Sequence, residues 1–223
     1  MRRTVLAVAA VLVFAVATAV GIAAGGLAGF VSPLASRILY VHVPSAWAAY
    51  LAFAAVVAAS IGVLRGGARA ETWDLAALAC AEVGALFGGL ALVTGVVWAR
   101  AEFGGDYSLV RDPKLLTTLV LELAYLGYLM LRRGVDTPER RARLAAVYGV
   151  AAFVGVPLSW LANRAATPHP DLTRGTELSG SLWAILLLSL AAFTLVGAAL
   201  ARVRFDLARV EAAVERRRGD LVG

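Results

Sequence analysis

Only two imidazoles occur in the chain, His42 and His169. They stand in Tyr40-Val41-His42-Val43-Pro44 and in Thr167-Pro168-His169-Pro170. Each has proline nearby, which restricts the backbone and lowers the entropy lost when a ligand is fixed. Two imidazoles from separate segments can hold one metal from opposite sides, an arrangement that suits haem iron. They suit a four-ligand zinc site less well, because the single cysteine, Cys80, lies in an apolar run. The alternative is that each histidine is an ordinary loop residue facing solvent. There is no Cys-x-x-Cys-His, so no haem is attached covalently here.

The aromatic residues form a second group. Trp47, Trp98, Trp160 and Trp183 fall at one set of span ends, and only Trp73 falls at the other. Tyr40, Phe103 and Tyr107 join the larger set. An interfacial aromatic belt explains such residues. A lopsided set also offers faces to a planar aromatic ligand. Arg100, Arg111, Lys114, Arg164 and Arg174 share that side and could pair with ligand carboxylates, unless Glu102, Asp106, Asp112, Asp171 and Glu177 take them. Asp112-Pro113 also reads as an N-cap followed by proline at the first helical position. Glu82 and Glu122 lie within apolar spans, where a carboxyl is costly and therefore informative. Depths counted along the helices bring them to similar levels, hydrogen-bonded to each other or to Tyr125 or Thr94. A transport or channel subunit using that pair is the competing function.

These groups must be positioned by membrane helices. Of 223 residues, 61% are hydrophobic and 16% charged, against about 25% charged in soluble domains. Six runs are long enough to cross a bilayer: Val5–Gly26, Ala46–Leu64, Trp73–Trp98, Leu115–Leu131, Leu144–Leu161 and Leu182–Ala201. The first continues past the signal-like Ala15-Val16-Ala17 and is read as a retained span. The runs do not alternate, which excludes a barrel. The expected fold is an all-α, polytopic helix bundle forming one domain over 1–223, with a basic helical tail at 202–223.

Arginine sets the orientation. Clusters at Arg2 and Arg3, at Arg65 and Arg69, from Arg132 to Arg143 and from Arg202 to Arg218 all fall on one side. Both termini are therefore expected in the cytoplasm, with both histidines outside. The net charge of +6 then reflects topology, and no nucleic-acid partner is implied. The tail could rest on membrane lipid or on a partner protein. No phosphate-binding loop, dinucleotide fingerprint or nucleophile elbow occurs, and no enzyme activity is expected.

Several segments together resemble a known family. Ile38-Leu39-Tyr40-Val41-His42-Val43-Pro44-Ser45-Ala46-Trp47 resembles the entry to the second span in the haem exporter protein C family (CcmC) of cytochrome c maturation. Thr94-Gly95-Val96-Val97-Trp98-Ala99 resembles the approach to that family's tryptophan-rich segment. Leu123-Ala124-Tyr125-Leu126-Gly127-Tyr128 resembles the span after it. The segment itself, Trp-Gly-x-x-Trp-x-Trp-Asp in the family, departs here. Phe103-Gly104 stands for Trp-Gly, Arg111-Asp112 for Trp-Asp, and Tyr107 for a further tryptophan. The resemblance implies His42 and His169 as axial ligands of a non-covalent haem b. It places Trp98, Phe103, Tyr107 and Asp112 in the haem-facing segment, with Trp47 and Arg111 beside it. It also implies a bacterial inner-membrane protein that passes haem to a membrane-anchored haem chaperone, with help from ATP-binding cassette transporter subunits.

Overall fold

The structure, a computed structural model, describes residues 2–24, 30–104, 108, 111–162, 164, 169 and 180–222. Tyr107 and Arg174 lie outside the described residues. Every regular element among the described residues is helical: α1 (Arg2–Ala23), α2 (Leu39–Arg65), α3 (Ala70–Phe103), α4 (Pro113–Arg133), α5 (Pro138–Ala152), α6 (Gly155–Ala162) and α7 (Gly180–Val222). A 3₁₀ turn, Ala35–Ile38, leads into α2. Five helical segments are long and apolar enough to cross a membrane: Ala35–Arg65, Ala70–Phe103, Pro113–Arg133, Pro138–Ala162 and Gly180–Arg218. The first expected span corresponds to the 22 residues of α1. Within it, Val11–Ala23 is a shorter apolar stretch.

Backbone chemistry changes two of the expected spans. The second begins earlier than Ala46, so His42 is a helical residue and not a loop residue. Pro44 lies inside α2 and cannot donate to the Tyr40 carbonyl. The helix nevertheless continues, because the preceding 3₁₀ turn has already nucleated it. Ser45 adds a bond from its hydroxyl to the Val41 carbonyl at 2.6 Å. The fifth span is not continuous either. Pro157 has no N–H for the Phe153 carbonyl, which instead accepts from Val156 N at 2.9 Å. The chain turns at Phe153 and Val154, and α6 sets off as a separate helix.

Small residues let the helices approach, as is usual where lipid supplies no hydrophobic drive between them. Ala48, Ala49 and Ala59 on α2 meet Ala77 and Ala81 on α3 in one core. The Phe53 ring lies against Gly84, where any Cβ would collide with it. Phe53 also stacks on Tyr125 of α4, with centroids 3.6 Å apart and planes 10° apart. Trp47, Trp160 and Trp183 are 47%, 51% and 37% exposed, as belt residues should be.

Ion pairs fasten the end assigned to the cytoplasm. Arg132 holds Asp74 through two bonds of 2.5 and 2.7 Å, and both residues are buried. Glu82 pairs with Arg204 of α7, which also reaches Glu211 at 3.1 Å. The tail is a direct continuation of α7. It stays against the start of α3, where Arg216 pairs with Glu71.

These contacts correct the expectation that Glu82 and Glu122 share a level and a bond. Glu122 is buried with its carboxylate against Gly88. Gly88 is six residues beyond Glu82 on α3, roughly 9 Å along the axis. Thr94 is engaged elsewhere, donating to the Leu90 carbonyl at 2.7 Å.

Candidate functional site

The two histidines meet at the outer end of α2 and α3. Their ring centroids are 6.1 Å apart, with planes inclined at 43°. His42 lies one turn into α2, where it faces α3 across a gap that glycine keeps open. A Cβ on Gly95 would come within 2.9 Å of the His42 Cε1. His42 Nδ1 lies 2.9 Å from the Ala91 carbonyl and 3.2 Å from Thr94 Oγ1. A carbonyl can only accept, so this bond requires the proton on Nδ1. Nε2 then carries the lone pair, which is how metal-binding imidazoles are usually oriented by a carbonyl behind them.

Trp98 forms the wall beside the pair. It is 8% exposed and lies edge-on to His169, with centroids 6.1 Å apart. Phe103 closes the same ring cluster at 5.5 Å from Trp98, and Phe30 does so at 6.0 Å. Phe103 ends α3, and Gly104 follows with φ of 83°, a backbone conformation that favours glycine. Glu102 fixes the outer turn by accepting from Val31 N at 2.7 Å and Ser32 N at 3.0 Å. The carboxylate thus orders the entry to α2 and leaves the nearby cations to other partners.

Asp112 caps α4 as its sequence suggests, accepting from Lys114 N at 2.8 Å and Leu115 N at 3.3 Å. It is buried, and Arg111 beside it is exposed. Of the expected site residues, the structure brings together His42, His169, Trp98 and Phe103. Trp47 stands apart on the exposed side of α2.

The outer cations divide by geometry. Lys114 Nζ turns inward, bonded to the Ser159 carbonyl at 2.9 Å and to Tyr50 Oη at 3.3 Å. It thereby ties α6, which leads into the His169 connection, to α2 and α4. Arg164 stacks over Trp160 at 4.2 Å. Arg37 is different. It lines an apolar cavity of about 390 Å³ together with Ile38, Val41, Thr94 and Trp98, and its buried Nε has no acceptor among the described residues. Arg37 was not among the outer cations that the sequence offered as ligand partners. Its place five residues before His42, with one helical turn between, was the available signal. Ala91 and Gly95 were equally hidden, since one acts through its carbonyl and the other through a missing side chain.

Comparison with known proteins finds a family for the chain. The family model for heme exporter protein C matches residues 2–220. The chain is 34% identical over 165 residues to "Heme exporter protein C" of Bradyrhizobium diazoefficiens, covering 72% of this chain and 61% of that protein. It is 33% identical over 178 residues to the Rhodobacter capsulatus protein of the same name, covering 75% and 70% respectively. The match to the Escherichia coli protein of that name is 33% over 123 residues, 55% of this chain and 48% of the relative. On a family match that runs almost end to end, the chain belongs to the heme exporter protein C (CcmC) family.

Proposed function

We propose that this protein binds haem at the outer face of the bacterial inner membrane and delivers it to a haem chaperone during cytochrome c maturation. The observation that carries the reading is the pairing of His42 with His169. An imidazole nitrogen binds a metal at about 2 Å, and the ring centroid lies roughly 1 Å behind it, so two rings on opposite sides of one iron have centroids about 6 Å apart. The observed 6.1 Å fits that span. His42 and His169 would hold the iron, with Trp98 and Phe103 against the porphyrin. Arg37, whose buried Nε has no acceptor among the described residues, would meet a propionate.

Haem is cargo in this account, held without a covalent bond and passed on. The chain supplies orientation and a partly dry pocket, not a reaction with turnover. The membrane-anchored chaperone takes the haem, and ATP-binding cassette transporter subunits assist the hand-over. The test is to express the full chain in haem-replete cells, purify it and record its absorption. A Soret band that moves to the chaperone on mixing supports the reading. Protein purified without haem, and unable to take it up, overturns it.

Two substitutions probe the surroundings. Gly95→Ala should keep the helix, since alanine favours it, but push the His42 ring off its carbonyl. Haem affinity should then fall by about 10–100-fold, the range seen when a ligand's orienting bond is disturbed. Titration of haem into both proteins measures this. Glu122→Gln should leave folding and haem binding near normal, because the amide fits the same space against Gly88. Complete loss of haem delivery with normal haem binding would favour the transport reading built on that acid.

A further inference from the structure

The inner half of the bundle holds a second cavity that the haem reading does not use. α4 and α7 both pack on α3, and between them lies a cavity of about 610 Å³. Its walls change character along the helix axes. Leu86 of α3 and Leu126 and Leu129 of α4 line one part, and Leu86 and Leu126 are 60% and 42% exposed. Arg133, Arg141 and Glu215 line the cytoplasmic part. Leu126 and Arg133 lie on one face of α4, seven residues and roughly 10 Å apart.

The charges there are not all consumed. Arg132 is committed to Asp74, and Arg204 to Glu82 and Glu211. Arg133, Arg141 and Glu215 have no ion-pair partner among the described residues. Arg141 also keeps its Nε out of solvent with no acceptor among the described residues. The groove therefore offers apolar walls, two uncommitted guanidinium groups on the α4–α5 side, and one uncommitted carboxylate on α7.

We propose that this groove binds a glycerophospholipid of the inner leaflet with a primary-amine headgroup. Its phosphate sits on Arg133 and Arg141, its ammonium faces Glu215, and an acyl chain runs along Leu126, Leu129 and Leu86. Basic pockets between membrane helices on the cytoplasmic side are suited to phospholipid headgroups. The phosphodiester supplies acceptors that an apolar partner helix would lack. A free phosphate would leave the leucine walls without a partner. The inference does not depend on the haem reading.

The experiment exposes the purified full chain to vesicles of phosphatidylethanolamine, phosphatidylglycerol or phosphatidylcholine. Retained lipid is then counted by native mass spectrometry. Phosphatidylethanolamine should be retained in preference to the other two. The Arg133→Gln/Arg141→Gln variant should retain roughly tenfold less, as befits two lost charge-assisted contacts. Glu215→Gln should keep the lipid but lose the preference for phosphatidylethanolamine over phosphatidylcholine. Should the double variant fail to fold, Arg133→Gln alone and Leu126→Trp, which fills the groove without altering charge, must each lower retention. Equal retention by these variants and the parent would overturn the site. A preference for phosphatidylglycerol would overturn the headgroup assignment.

Discussion

Replacing His42 with alanine should lower haem affinity by more than the roughly 10–100-fold that follows from disturbing a ligand's hydrogen-bond partner. The substitution removes the proposed ligand, along with the Nδ1 bond to Ala91 that holds the ring. His169→Ala should do the same from the other face. The helices should survive both changes, because neither histidine belongs to the alanine and aromatic core. Haem titration beside a thermal scan separates loss of ligand from loss of fold. Added imidazole should restore part of the binding in either single variant, since a small base can occupy the vacated position. If both single variants bind haem as the parent does, the two rings are neighbours without being ligands.

The second large effect concerns stability. Asp74→Asn should destabilise the bundle by about 3–5 kcal/mol, the usual result of leaving one member of a buried ion pair without its partner. Arg132 is buried at the end of α4, and both its bonds to Asp74 would be weakened or lost. Tyr128 lies 3.4 Å from the same guanidinium and cannot neutralise it. Changing both residues to apolar ones of similar size should restore much of the loss, because the pair's attraction is largely offset by its desolvation. Thermal unfolding in one detergent, compared across single and double variants, measures the difference. Equal midpoints for Asp74→Asn and the parent would mean that α3 and α4 are held by packing alone.

The membrane class was legible because hydropathy and arginine placement act through composition over whole runs. Asp112 was legible too, since a cap followed by proline is a local signal that the backbone obeys. His42 was misplaced for an equally local reason. Pro44 marks a boundary in most helices, yet here the helix runs through it, following directly on a 3₁₀ turn. Pro157 near the end of a run did change the path, because its missing N–H was not compensated in the α-helical register. The partner of Glu82 was out of reach, since Arg204 is far along the chain and only the packing of α7 on α3 joins them. The spacing of the histidines could suggest a shared metal but not a separation. Ala91, Thr94 and Gly95 hold the His42 ring in place, and their roles appear only once α2 lies on α3.

Electron paramagnetic resonance of the haem-loaded full chain, in the ferric state, distinguishes paired from single imidazole ligation. Two imidazoles on one iron give a low-spin, six-coordinate signal, and a single imidazole or none gives high-spin iron. Paired ligation by His42 and His169 should give a low-spin bis-imidazole spectrum in the parent that turns high-spin in His42→Ala and in His169→Ala. A high-spin spectrum in the parent, or a low-spin one unchanged in both variants, would contradict it.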